Sequence, residues 1–349
     1  MLIIADELRD LLARTLSAAG SEEAEAAIVA DHLVEAALRG HDSHGPGMLP
    51  AYVRNRRNGR LQANRHARQV GGLGAMAAFD GDMGYGQVVA REVTDWGIGA
   101  ARQHGLALAT LRNVHHVGRV GTYGEQACAA GMIALFFVNG LSGAPRVAPF
   151  GGGDARMATN PICIAVPHEA QPVVLDFATS RIALGKVRVA YNAGLPVPEG
   201  ALIDSERRPT RDPGAIYGKG GGALLPFGDH KGSGLALICE ILGGALSGGA
   251  TAQHANAADP AIVNGLTAIF ISPQHLVERS AFDEEIRALL AYLRESPPAD
   301  GESPVLLAGD PERRIRGERL QNGIPIDSVT WQAICEAMQS VGAAASASG

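Results

Sequence analysis

Between Gln87 and Val138 the hydrophobic period changes repeatedly, and this switching constrains the fold more than any other feature of the chain. Gln87 to Gln103 places Val89, Val93, Trp96 and Ala100 on one helical face and stops at Gly105. Leu106 to Leu111 reads as a strand, Arg119 to Ala130 as a helix, and Met132 to Val138 as an apolar strand buried on both faces. Strand, helix and strand within about thirty residues form a βαβ unit and imply a parallel pair. Ligands of such sheets bind beyond the carboxyl ends of the strands. His115 and His116 fall at such an end, in the loop NVHHVG, and Asn139 falls at the next one.

A second histidine loop is Gly40-His41-Asp42-Ser43-His44-Gly45, delivered by a helix that carries Val29, Leu33 and Ala36 on one face. Imidazole is the side chain that titrates nearest neutrality, and flanking glycines let the backbone turn sharply and a ligand come close. Alone, such a loop is more readily a turn that caps the preceding helix. Two of them in one chain point to a single proton-handling site formed where they meet.

The N-terminal region is helical: Asp6 to Ala19, then a helix capped by Ser21, then a short one starting near Leu49 and running toward Asn58-Gly59. Beyond Val138 the apolar runs Ile162 to Val166, Val173 to Phe177 and Gly265 to Ser272 read as strands. Leu235 to Leu246, Phe282 to Arg294 and Val329 to Met338 read as helices, the last capped by Asp327-Ser328. Residues 190–226 are turn-rich, as an inserted lobe or lid would be, and the tail AAASASG reads as disordered. With 349 residues the chain exceeds the ~250–300 at which one core stops growing, so two lobes are expected.

Several function classes are disfavoured. The net charge of -6 with no basic block offers nothing to nucleic acid. No apolar run approaches the ~18 residues of a membrane span, and Met1 to Asp6 lacks a basic leader, so no secretory signal is expected. Cys128, Cys163, Cys239 and Cys335 are scattered without metal spacing, as in a cytoplasmic protein with reduced thiols. His41 and His44 sit between glycines and a proline rather than on a helix, and there is no H-E-x-x-H, so no metal site is expected and a metal-dependent hydrolase is a distant alternative. Gly72 to Ala77 formally matches G-x-G-x-x-A. It lacks the strand before and the helix after that a dinucleotide fingerprint needs, and is rejected. In Asp229-His230-Lys231-Gly232-Ser233-Gly234 a lysine stands at a helix N-terminus, where it is mildly unfavourable, beside glycines that expose backbone N–H groups. Either an anion such as a nucleotide phosphate binds there or Lys231 is simply solvated.

GHDSHG, HHVG, the segment from Ala148 to Pro161 (APFGG…TNP), VLDFATS and GDHKGSGLA occur in one order across most of the chain. Together they resemble the non-Rossmann malate/L-lactate dehydrogenase family, which also holds sulfolactate and ureidoglycolate dehydrogenases and piperideine-carboxylate reductases. The resemblance implies an α/β protein with a mixed sheet of the L-sulfolactate dehydrogenase type and a homodimer. The helical residues 1–70 plus 310–349 would form the substrate side, and 71–309 the cofactor-binding domain. It also implies NAD- or NADP-dependent hydride transfer between 2-oxo and 2-hydroxy acids, with reduction of a cyclic C=N bond as the near alternative. By matching motif, His116 would be the acid/base, with His44 and Ser43 beside nicotinamide and substrate. Asn139, Gly140, Thr159, Asn160, Pro161, Asp176, Phe177, Ala178, Lys231, Pro311 and Glu312 would line the cofactor. Glu312 favours a ribose hydroxyl while Arg313 and Arg314 favour a 2′-phosphate, so the choice of cofactor stays open. One departure stands out: Met48 occupies the place of a family arginine that would clamp the substrate carboxylate. Either Arg119 has taken over this task, in a pocket shared with Tyr52 and Met48 that suits larger or aromatic 2-oxo acids, or it is a first-turn helix residue facing solvent.

Overall fold

In the computed structural model, β1 (Leu2–Ile3) leads into α1 (Ala5–Ala18) and α2 (Glu23–Leu38), whose facing Leu8, Leu12, Leu16 and Leu33 are fully buried. The structure describes all residues except 142, 170, 219, 254–261, 300 and 344–349, so most of the expected disordered tail lies outside it. Each of those leucines contributes roughly 1.5–3 kcal/mol of burial. The N-cap of α2 is Glu22 rather than Ser21, and no side chain caps it. Two short 3-10 turns, Asp42–His44 and Pro46–Met48, lead into α3 (Leu49–Arg57).

The rejected Gly72 motif is part of an antiparallel hairpin, β2 (Arg68–Leu73) and β3 (Met76–Asp80). Next come α4 (Gly86–His104), ended by left-handed Gly105, then β4 (Leu106–His115), α5 (Gly121–Ala129) and β5 (Ile133–Leu141). β6 (Ile162–Val166) and β7 (Val173–Phe177) fall where the apolar runs predicted them. Between α6 (Leu184–Ala193) and α8 (His230–Cys239) lie β8 (Leu202–Ile203), β9 (Pro209–Thr210), α7 (Gly214–Tyr217) and β10 (Ala223–Leu224). The turn-rich insertion is thus a folded unit with a three-stranded sheet and a small core of its own around Val187, Val197, Leu202 and Ile216. A π-helical stretch, Glu240–Leu246, continues α8. β11 (Val263–Ile271), α9 (Arg279–Arg294), α10 (Asp310–Asn322), β12 (Ile324–Pro325) and α11 (Ser328–Ser340) complete the chain. Asp327 caps α11 by accepting the Thr330 N–H.

The central sheet runs β2-β3-β4-β11-β5-β6-β7. This corrects the sequence expectation. β4 and β5 point the same way, but β11 lies between them, antiparallel to both, and the parallel pair is β3 with β4, joined by α4. Local periodicity reports strands and crossovers; it cannot report a strand inserted from more than a hundred residues downstream. One face of the sheet, with Ala109, Leu111, Phe136, Val138, Ala268 and Phe270, packs on α4 and α5. The other presents Asn139 and Thr267 to the π-helical stretch. A second core joins α1, α2 and α3 to β12 and α11.

Sequence reading ended β4 at Leu111, and the structure shows why the pattern breaks there. The register slips between Asn264 and Leu266 on β11, and Asn113 adopts a left-handed φ of 52°. The extra residue on β4 is a bulge, held because Asp80 accepts from Arg112 Nε and Asn113 Nδ2 at 3.1 Å each. Leu111 and Val114 therefore both face the apolar core, and His115 turns to the helical side. The bulge redirects the strand end that carries the histidine pair.

Candidate active site

The two histidine loops meet. His44 Nδ1 lies 3.1 Å from His116 Nε2, and the rings stack with centroids 5.2 Å apart. Behind them Tyr52 Oη lies 2.7 Å from His116 Nδ1, and Gln87 Nε2 donates to the same phenol oxygen at 2.6 Å. With its oxygen accepting from the amide, the phenol still has its own hydrogen to donate to His116 Nδ1, or a second lone pair to accept from it. In the first arrangement the His116 proton lies on Nε2, directed at His44 Nδ1 as acceptor, and the His44 proton on Nε2. Either way Gln87, Tyr52, His116 and His44 form one connected chain. Beside it Asn55 Nδ2 donates to His115 Nε2 at 2.9 Å. His32 Nε2 accepts the Arg119 N–H at 2.9 Å, across Gly118, where a Cβ would stand 2.3 Å from that imidazole nitrogen and where φ is +71°. Asn264 Oδ1 fixes the Val117 N–H at 2.9 Å.

Burial holds these imidazoles neutral. It lowers the pKa of His44 to about 4, with the neighbouring His41 adding to the effect, and that of His115 to about 4. His32 falls to about 3, burial again leading and Arg119 assisting. His116 lies well below the usual histidine range, through burial and then the other histidines. An imidazole held neutral by burial has a nitrogen free to accept a proton but is a weaker base than usual, so it takes one up only where a neighbouring anion favours its charged form.

Other elements brace the first loop. Glu312 reaches His41 at 3.5 Å, and Arg319 from the same helix, α10, binds Asp42. α6 lies alongside: a Cβ on Gly185 would stand 2.2 Å from the Ser43 Cβ. Glu312 is thus placed against the histidine loop, whereas Pro311 only opens α10.

Several expected cofactor contacts are committed elsewhere. Asn139 and Asn160 are fully buried, and their amides serve Glu240: Asn160 Nδ2 donates to Oε1 at 2.8 Å and Asn139 Nδ2 to Oε2 at 3.3 Å. Asn139 also donates to Ala250 O and accepts the Gly265 N–H. Asn160 Oδ1 accepts the Gly140 N–H at 3.3 Å. These side chains shape the backbone at the end of β5. Thr159 O accepts the Thr179 N–H, Pro161 O accepts the Val138 N–H, and Phe177 stacks edge-on with Phe227, with Ala178 following. Lys231 stands exposed in the first turn of α8, which begins at His230, earlier than expected. The neighbouring Gly232 does not offer its N–H to an anion: Phe227 O accepts it at 3.0 Å, and a Cβ there would stand 2.2 Å from that oxygen.

Arg119 also departs from expectation. It is 2% exposed, with Nη2 3.1 Å from Glu125 and Nε 3.6 Å from Asp176, whose Oδ2 also accepts the Gly121 N–H. Two carboxylates neutralise it inside the protein, a geometry that argues against its acting as a substrate clamp. Met48 packs beside the helical core, and Tyr52 faces His116 rather than open space.

Sequence reading missed Gln87, Asn55, His32 and Glu240. Each is a polar side chain at a core position of a helix, and Glu240 is a lone acid within the apolar run from Leu235 to Leu242. Buried polar groups need partners, and that requirement was the available signal.

The motifs identified above extend to whole-chain similarity. Residues 3–335 match the malate/L-lactate dehydrogenase family. The chain is 47% identical over 326 residues to hydroxycarboxylate dehydrogenase B of Escherichia coli (strain K12), covering 93% of this chain and 90% of that protein. It is 40% identical over 336 residues to an L-lactate dehydrogenase of Cupriavidus necator, covering 95% and 96%. The crystal structure of sulfolactate dehydrogenase from Methanocaldococcus jannaschii superposes with a TM-score of 0.86 at 32% identity, over 98% of both chains. With the mixed sheet and the paired histidine loops in place, these matches make the chain an enzyme of the malate/L-lactate dehydrogenase family.

Proposed function

We propose that the protein interconverts 2-oxo and 2-hydroxy acids with NAD or NADP, with His116 and His44 handling the substrate proton. The observation that carries this is the connected chain Gln87–Tyr52–His116–His44. Bound nicotinamide would supply or accept the hydride; the protein's task is to orient the partners and move one proton. In the oxidative direction a neutral imidazole of the pair accepts the hydroxyl proton. In the reductive direction the anionic substrate favours the protonated pair, which then donates to the carbonyl oxygen. Tyr52 fixes the His116 tautomer, and Ser43, held by α6, lies next to His44.

The residues fit a nicotinamide cofactor. Thr122 Oγ1, in the first turn of α5, is buried without a hydrogen-bond partner among the described residues, and Lys231 offers an exposed cation. Gly140, Thr159, Pro161, Asp176, Phe177, Ala178, Pro311 and Glu312 are assigned to the same cofactor cleft. We further assign residues 1–70 plus 310–349 to the substrate side and 71–309 to the cofactor side, a homodimeric assembly and a cytoplasmic location. The homodimer would cover apolar side chains such as Leu289, Tyr292 and Leu293 of α9. Met48 suits larger or aromatic 2-oxo acids.

The test is incubation of the purified protein with NADH or NADPH and a panel of 2-oxo acids and one cyclic imine, with and without a chelator. Loss of reduced-nicotinamide absorbance with an acid supports the assignment. Turnover of the imine alone would make the enzyme a C=N reductase, and chelator-sensitive hydrolysis without hydride transfer would overturn it.

A further inference from the structure

A carboxylate substrate needs a cation near the histidine pair, and most cations around that loop are occupied. Arg319 holds Asp42, Arg119 holds Glu125 and Asp176, and Arg39 and Arg316 hold Glu35. Arg188 is different. It lies on α6, three residues after Gly185, and so on the same helical face. Gly185 lies against Ser43, and Arg188 Nη2 lies 3.3 Å from where a Cβ of Gly47 would be. The helix is therefore laid along residues 43–47 with its guanidinium over the turn that follows His44. Arg188 is half-buried and has no carboxylate partner among the described residues. The half-buried Tyr217 phenol feels both Arg188 and Arg146, so the neighbourhood adds positive charge and no compensating anion. A half-buried guanidinium placed this way is stabilised by an arriving anion, which its planar fork can hold through two parallel hydrogen bonds.

We propose that Arg188 is the specificity-determining residue that receives the carboxylate of the 2-oxo or 2-hydroxy acid, reaching the turn at Gly47-Met48 from α6. This rests on the activity assigned above.

The test compares the unaltered enzyme with Arg188→Met and Arg188→Lys, using the best 2-oxo acid found and its neutral methyl ester. Arg188→Met is expected to raise KM for the acid by about 10- to 100-fold, the scale of a lost charge-assisted hydrogen bond, with kcat changed far less. KM for the cofactor should stay constant, and the preference for acid over ester should disappear. Arg188→Lys should fall between. Adding Met48→Arg to Arg188→Met should recover affinity for the acid, because the new guanidinium projects from the same turn. Matching melting temperatures establish that each variant is folded. An unchanged KM and an unchanged acid-over-ester preference in Arg188→Met would overturn the proposal. If the unaltered protein turns over no 2-oxo acid with either cofactor, the activity assignment fails and this proposal fails with it, an outcome separate from an active enzyme indifferent to Arg188.

Discussion

Two buried polar networks flank the end of the central sheet, and they are built on opposite principles. Around Glu240 the network is closed: both asparagine amides, the Ala252 N–H, the Gly265 N–H and the Gly140 N–H all find partners. Around His116 the network is open. His115 Nδ1, Gln87 Oε1 and the Tyr85 hydroxyl are buried without partners among the described residues, and the chain of contacts ends at His44. A closed network can only hold a backbone in place. An open one leaves a histidine at its end to exchange a proton with whatever docks against it. The contrast separates support from chemistry without reference to any ligand.

Substitutions break this contrast in different ways. The largest effect is expected at His116. His116→Ala should lower kcat by about 10²- to 10⁴-fold, the usual scale for a general acid–base group, while cofactor binding measured by fluorescence titration is retained. Unchanged turnover would move the proton role to His44. Next comes Arg119→Met, which leaves Glu125 and Asp176 facing a buried apolar side chain. Removing one partner of a buried ion pair costs about 3–5 kcal/mol, read as a fall in the urea midpoint. A stable variant with a strongly raised KM for 2-oxo acids would restore the clamp role that the geometry denies it. Smallest is Glu240→Gln, which turns an all-acceptor group into one that presents N–H groups to other donors. Its expected cost of about 1–3 kcal/mol should appear in stability rather than in kcat. A kcat loss matching that of His116→Ala would erase the distinction between the two networks.

Much of this was legible in the sequence because it is local. Helical spacing located α1, α2, α4 and α11, and the apolar runs gave β6 and β7 to the residue. Glycine-bracketed histidines identified the two loops that the fold brings together. Three things were not legible. The insertion of β11 between β4 and β5 is set by a strand distant in sequence. The bulge at Asn113 reverses which residues face the core, and alternation alone cannot announce a skipped step. α10 carries charged residues at about half its positions and buries none of its residues fully, so it offers no apolar stripe to read, yet it supplies the Glu312 and Arg319 contacts to the first histidine loop. The fates of Arg119 and Asn139 depended on partners, Asp176 and Glu240, that only tertiary packing brings within reach.

The central claim is that burial keeps the His44–His116 pair neutral and that Tyr52 directs its protons. Nitrogen-15 NMR of the histidine rings tests this most directly. At neutral pH His116 should show one protonated nitrogen, Nε2, and His44 should also be singly protonated. Both should stay so down to about pH 5, below the ordinary histidine range. A doubly protonated imidazolium at either residue at neutral pH, or a His116 proton on Nδ1, would contradict the account.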